Sequence, residues 1–325
     1  MNERTAFRTR VFERDGGCLV PWCDREPVDA HHIIERSLWS GGGYFPDNGA
    51  SVCETHHEYA ERNHIPPQAF WMWGDVEPTT PENLPEDVDK WGESFDTPPW
   101  EEHRGWVKYP STGHLPFSPE WEDTRADLRE VDDFCEIPLV VTVKMDGGNC
   151  YVSRERVAAR NGKHAEHESF DYLKQQHAEF AHEIPEYYQI FGEWLYAVHS
   201  IKYTDLRSYF QVFAVYDRRY NLWLSWPTVE RVAENLGFPT VPVLEYSEDD
   251  ETPLYDRPEE LYSKLPATAE TAVENGHEGI VVRSKFPFHY GQFERRIGKY
   301  VREGHVQPDD ERWDERELTK NELSR

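Results

Sequence analysis

Lys144 closes an apolar, β-branched run, Val140-Val141-Thr142-Val143, and is followed by Met145, Asp146, Gly147, Gly148 and Asn149. A lysine that ends a buried strand must find partners or give up its proton, because burying a bare ammonium is costly. A desolvated lysine beside other cations or a metal has a lowered pKa and can act as a nucleophile. The two glycines would let a phosphate come close to the backbone. Taken alone, the segment equally describes a strand that ends in an exposed turn. A second chemistry sits near the N-terminus, where Cys18-x4-Cys23 is followed by Cys53-x2-His56. Two short-spaced pairs of soft ligands suit a closed tetrahedral zinc site. His31-His32, Asn48 and His57 lie between and just after these pairs.

The elements that would hold Lys144 are legible as alternating apolar runs. Leu139 to Val143 and Asn149 to Ser153 read as strands around the Gly147-Gly148 turn. Tyr187 to Leu195, Tyr209 to Asp217, Glu278 to Arg283 and Ile297 to Arg302 read as further strands. Asp123 to Asp132, Phe170 to Phe180 and Thr228 to Leu236 read as helices, the last stopped by Gly237. Arg160 opens a donor-rich turn, and Glu58-Tyr59-Ala60-Glu61 begins a helix behind the second metal pair. His64 to Glu102 carries Pro66-Pro67, Pro78, Pro81, Pro85 and Pro98-Pro99 among acids, the composition of a linker. The expected organisation is 1–63, a zinc module; 64–102, a Pro- and acid-rich linker; 103–313, a second domain; and 314–325, a charged tail.

The length of 325 residues fits two or three domains, and 12 Trp, 17 Tyr and 16 Phe allow sizeable cores. No apolar run is long enough to span a membrane and no secretory signal opens the chain, so a cytoplasmic protein is expected. Cys135 and Cys150 read as ordinary buried thiols, and the clustered cysteines as metal ligands before disulfides. The net charge of −27 has the wrong sign for a nucleic-acid footprint. Either the protein never touches nucleic acid, or its acidic surface is adapted to high salt, where screening lengths are a few Å. We favour the second, with a halophile or a virus of one as the source.

The first sixty residues resemble the HNH (ββα-metal) nuclease family: His31-His32 before an apolar pair, a glycine turn, Asn48, and His57 beside the zinc pair. The resemblance implies that His32 is the general base and that His31 and His57 hold a catalytic divalent metal. Asn48 would orient the base or assist the metal, and Cys18, Cys23, Cys53 and His56 would hold a structural zinc. RNA or DNA would be cut, or merely docked.

Residues 106 to 313 resemble the covalent nucleotidyltransferases, and within them the ATP-dependent RNA ligases. The likeness is carried in order by Lys144-x-Asp146-Gly147, Phe191-Gly192-Glu193, the Phe210/Phe213 segment, Glu278-Gly279 and Lys299. The lead-in Lys108-Tyr109-Pro110 and Lys299-Tyr300-Val301-Arg302 resemble the RNA-ligase branch in particular. Relatives commonly carry a second lysine where Val301 stands here, and Arg302 is the candidate substitute.

The resemblance implies an α+β fold of antiparallel sheets with flanking helices. It also implies that Lys144 attacks the α-phosphate of ATP to form lysyl-AMP, and that AMP then passes to an RNA 5′-phosphate that a 3′-hydroxyl attacks. Glu193 would bind the ribose or a metal, and Phe213, with Phe210 as runner-up, would stack on adenine. Glu278 would hold Mg2+ or Mn2+, and Lys299 would meet the α-phosphate. Asp146, Asn149 and Arg160 would contact the nucleotide or the incoming end. The few residues after Val301 leave no room for the C-terminal domain of DNA ligases, which disfavours duplex DNA sealing. The leading expectation is an HNH-type module fused to a minimal RNA ligase. Its rivals are a nuclease with a degenerate nucleotide-binding domain and a non-catalytic zinc module that binds RNA.

Overall fold

The computed structural model describes residues 2–39, 41–78, 105–119, 131–160, 165, 167–250, 252–304 and 319–324. They divide into two compact units. The first gathers the residues up to 78 with Arg219–Leu222 and Phe286–Gln292, and the second holds the remainder.

In the first unit, helix α1 (Glu3–Asp15) is capped by Asn2, whose side chain accepts the Thr5 N–H, and ends at Gly16 with φ of 71°. Phe7 and Val11, four residues apart, turn to the core. Strands β1 (Asp29–His32) and β2 (Gly49–Val52) pair antiparallel, His32 opposite Gly49, and helix α2 (Glu54–Glu61) follows directly. The strand–strand–helix order is the one expected.

The segment after it differs from the linker that composition suggested. Helix α3 (Pro67–Gly74) opens on a proline, where the missing N–H costs nothing, and buries Phe70 and Trp71. Proline content over a long window hid eight residues of helix. The rest of that linker, from 79, lies outside the described residues. Phe286, far along the chain, belongs to this unit and meets the rings of Tyr59 and His56 at 5.0 and 5.9 Å.

The second unit is built on two antiparallel-rich sheets. Its strands are β3 (Gly113–His114), β4 (Leu139–Lys144), β5 (Gly148–Val152), β6 (Val157–Ala159), β7 (Tyr188–Trp194), β8 (Phe210–Asp217), β10 (Val243–Tyr246), β11 (Gly279–Ser284) and β13 (Ile297–Val301). Of two further short strands, β9 (Leu222–Trp223) falls at a boundary between the units and β12 (Phe288–His289) belongs to the first. Helices α4 (Asp171–Phe180), α5 (Trp226–Asn235), α6 (Pro258–Glu274) and α7 (Phe293–Arg296) flank the sheets.

One sheet runs β10-β4-β11-β13-β3, antiparallel except for the β13–β3 pair. The other carries β8-β7-β5-β6, all antiparallel. Strand alternation sends Leu139, Val141, Ile280 and Val282 to one face, where they meet Leu261, Leu265, Ala269 and Ala272 of α6. Thr142, Lys144, Val281, Arg283 and Lys299 fall on the opposite face. The α+β class with antiparallel sheets and flanking helices is the expected one.

The helix read over Asp123 to Asp132 and the stretch from Glu311 fall largely outside the described residues. Where the chain is described again, 319–324, its residues are exposed apart from Asn321. It bridges to Ala197 and Leu206, and Asn321 is buried. No helix among the described residues is long and apolar enough to cross a membrane.

Candidate active site

A cavity of about 340 Å³ lies between the two sheets of the second unit. Thr142 and Lys144 of β4, Val281 and Arg283 of β11, and Ile297 and Lys299 of β13 line one wall. Glu193 of β7, Phe213 of β8 and Asn149 of β5 line the other. Its size falls within the range of small-molecule sites. Most of the residues expected to bind a nucleotide therefore converge, although they come from segments more than 150 residues apart.

Register does this work. Gly279 is opposite Lys144 on one side and Val301 on the other, so Glu278 arrives beside Lys144, and Val281 is paired with Thr142 and Lys299. Lys144 Nζ donates to Glu278 Oε2 at 2.7 Å, the two side chains being 24% and 5% exposed. Burial presses the Lys144 pKa down, but Glu278, Glu193 and Asp146 outweigh it and hold the pKa above the ordinary lysine value. The expectation of a lowered lysine pKa is therefore corrected for Lys144, because its neighbours are carboxylates.

The lowered value belongs to Lys299. Burial first, then the charge of Lys144, brings it to about 8. Glu193 is pushed up to about 7 by burial; the attraction of Lys144 opposes this, while Glu278 and Asp146 reinforce it. Three acids thus crowd one ammonium. Glu278 and Glu193 are the carboxylates here that could hold a hard divalent cation, among the cations Lys144, Lys299, Arg160 and Arg283.

Asp146 is buried and turned to other work. Its Oδ2 accepts from Ser200 N at 2.8 Å, Ser200 Oγ at 2.9 Å and Ile201 N at 2.6 Å. It anchors the chain at 200–201 and does not line the cavity. The two glycines differ from each other. A Cβ on Gly147 would meet Leu195 Cδ2 at 2.7 Å and the Trp194 carbonyl at 2.8 Å, whereas one on Gly148 would find only the Trp194 carbonyl, at 3.9 Å. Gly147, which also lines the cavity, is needed for the close approach of β7.

The aromatic pair separates cleanly. Phe210 is fully buried and packs edge-on against Phe238 at 5.2 Å, which is core. Phe213 lines the cavity, with Tyr109 edge-on at 5.0 Å. Arg160 also lines it, and is held by the Tyr109 carbonyl at 3.3 Å and Ser111 Oγ at 3.0 Å. Arg283 is a further cavity residue, beyond those expected from the motifs. It is buried, its pKa brought down to about 10 by burial, and it donates to the carbonyls of Phe213 and Leu224 at 3.1 and 2.8 Å. Its alternation with Gly279 and Val281 along β11 was the signal.

In the first unit, Cys18, Cys23, Cys53 and His56 come together, as expected. His56 Nδ1 lies 3.3 Å from Cys18 Sγ and 3.2 Å from Cys53 Sγ, and the Cys23 and Cys53 sulfurs are 3.9 Å apart. Two thiolates on one tetrahedral zinc with about 2.3 Å bonds would stand about 3.8 Å apart.

His31 and His57 also converge, and Glu61 joins them, its Oε1 at 3.1 Å from His31 Nδ1 and 3.4 Å from His57 Nε2. Glu61 follows His57 by four residues on α2, a helical spacing that could have marked it. A cavity of about 630 Å³ there is lined by His31, His32, His57 and Glu61 and by Arg4, Arg8 and Arg36. His32 stacks on Phe7 at 4.5 Å, and burial first, then Arg36 and His31, brings its pKa to about 4. Asn48 makes its side-chain hydrogen bonds elsewhere. Its amide accepts from Ile34 N and donates to the carbonyls of Ile34 and Gly43, tying down the loop between β1 and β2.

A protein-family model described as RNA ligase matches residues 137–301, just over half of the chain. No curated protein matches. Among solved structures, an archaeal ATP-dependent RNA ligase aligns at 18% identity over 60% of this chain and 48% of its own, with a TM-score of 0.38. A protein described as an ATP-dependent DNA ligase from Aquifex aeolicus aligns at 20% identity over 60% and 50%, with a TM-score of 0.42. An RNA ligase of Naegleria gruberi, solved with pyrophosphate, aligns at 17% over 63% and 61%, with a TM-score of 0.38. The chain spans about half the length of the first two. None of the three reaches a TM-score of 0.5, so the family match alone carries the assignment.

Proposed function

The chain belongs to the RNA ligase family, and on that premise we propose that it is an ATP-dependent RNA ligase joining 3′-hydroxyl to 5′-phosphate ends through an AMP adduct on Lys144. The observation that carries the reading is the convergence of Lys144, Glu193, Lys299 and Phe213 on one cavity, with Glu278 bonded to Lys144. In the resting site Glu278 accepts a hydrogen bond from protonated Lys144. The attack needs the free amine, so the proton must leave before the Nζ lone pair forms a bond to the α-phosphorus and pyrophosphate departs. A 5′-phosphate oxygen then displaces Nζ, and a 3′-hydroxyl displaces AMP.

Lys299, on the neighbouring strand, is the candidate cation for the α-phosphate, and Phe213 the candidate adenine platform. Arg160 and Asn149 flank the path of the phosphates or the incoming end. Mg2+ or Mn2+ would neutralise phosphate charge, with Glu278 and Glu193 as the residues to hold it. The test is covalent labelling. Incubation with α-labelled ATP and Mn2+ is expected to label the wild-type chain, and Lys144→Ala to abolish the label.

A second reading concerns the first unit alone and is supported by His31, His57 and Glu61 gathered beside three arginines. That set suits a divalent ion and a phosphodiester, with neutral His32 as general base, as in an HNH-type nuclease acting on RNA or DNA. The Cys18, Cys23, Cys53 and His56 group fits structural zinc. Mass spectrometry of the native protein is expected to find about one zinc per chain, lost in Cys53→Ser; a metal-free wild type would contradict the zinc centre.

A further inference from the structure

Residues 319–324 form a strap over the connection between β7 and β8, and the bonds continue from there towards the nucleophile. The connection is a compact loop whose base is closed by Leu195 N–H donating to the Tyr209 carbonyl at 2.7 Å. Five backbone hydrogen bonds tie the strap to the loop: Val198 N to Thr319 O, Asn321 N to Tyr196 O, Glu322 N to Tyr203 O, Leu206 N to Glu322 O and Ser324 N to Leu206 O.

At its centre Asn321 is buried and fully used. Its Oδ1 accepts from Tyr203 N at 2.8 Å, its Nδ2 donates to the carbonyls of Leu195 at 2.8 Å and Ala197 at 3.3 Å, and its own carbonyl accepts from Tyr209 Oη at 3.0 Å. The same loop reaches the chain just after Lys144. Ser200 and Ile201 hold the Asp146 carboxylate, and Tyr203 Oη accepts the Asp146 N–H at 2.9 Å.

We infer that Asn321 is a positioning residue for Lys144: it fixes the β7–β8 loop that in turn fixes Asp146 and the direction of the nucleophile. The inference rests on the adenylyl-transfer reading above. Neither Asn321 nor the strap lines the nucleotide cavity. Loosening it should therefore disturb the aim of Nζ more than the binding of ATP, since small misplacements of a nucleophile are costly.

The experiment uses the full chain and single-turnover labelling with α-labelled ATP and Mn2+, measured as a rate against ATP concentration for wild type, Asn321→Ala, Tyr203→Phe and the double variant, with melting temperatures alongside. Asn321→Ala is expected to slow labelling at saturating ATP about tenfold or more, while the half-saturating ATP concentration stays within about threefold. The double variant should be little slower than the slower single, because both act through one loop. A labelling rate for Asn321→Ala equal to wild type would overturn the inference. So would rate losses that multiply in the double variant, or a loss that appears only in the half-saturating concentration. Should Asn321→Ala fail to fold, Ser200→Ala and Tyr203→Phe carry the same cycle with the same deciding outcomes. A wild type that takes no label at all would instead bring down the ligase reading, and this inference with it.

Discussion

Glu193 records the electrostatic state of the resting site. Burial, reinforced by Glu278 and Asp146, holds its pKa at about 7 instead of the ordinary 4.5. A carboxyl whose folded pKa is raised contributes its full stability below the unfolded pKa and loses it as pH climbs through the folded one. Its ionisation therefore weakens the fold between about pH 4.5 and 7. Glu193→Gln keeps the neutral form at every pH. It is expected to stabilise the nucleotide-free protein by about 3 kcal/mol at pH 8 and by less than half of that at pH 5.5, read from urea unfolding. Equal stability of variant and wild type at pH 8 would contradict the desolvation of Glu193 that raises its pKa. Residue types and order were enough to find Lys144, Glu193, Glu278 and Lys299. The direction of the Lys144 shift and the anchoring role of Asp146 were not legible, because both depend on what stands across the sheets.

Among the elements, the turn between β4 and β5 sets the site most tightly. Two adjacent glycines look alike in sequence, yet a Cβ on Gly147 would run into the backbone carbonyl of Trp194 and one on Gly148 would not. Gly147→Ala must push β7 away and carry Glu193 with it. It is expected to lower the melting temperature and remove labelling, at a cost of about 1–3 kcal/mol. Gly148→Ala should fold and label within about threefold of wild type by the same measurement. Comparable losses in both would mean that the glycines serve flexibility rather than packing. The strands were legible here because short runs rich in β-branched and aromatic residues mark them. Helix α3 was obscured by its prolines, and the strap at 319–324 by its polar composition. Its order comes from hydrogen bonds to a loop more than 100 residues earlier, which no local pattern reports.

For the molecule as a whole, the net charge of −27 is the term that local structure does not explain. Self-repulsion of that size weakens a compact state at low ionic strength, and a screening length of about 3 Å in molar salt removes most of it. We propose that the protein works in high salt, and its melting temperature should rise steadily from 0.1 to 2 M KCl with labelling retained. Full activity without added salt, declining as KCl rises, would contradict this. The two-part organisation was legible in the cysteine and lysine motifs. That 219–222 and 286–292 belong to the first unit was not, since it is a matter of long-range packing. The central claim is that one amine, Lys144, captures AMP. Labelling the purified chain with α-labelled ATP and Mn2+, followed by tandem mass spectrometry of its peptides, tests it most directly: the account predicts a single AMP adduct on Lys144 that Lys144→Ala abolishes, and an unlabelled wild type, or a label that survives in Lys144→Ala, would contradict it.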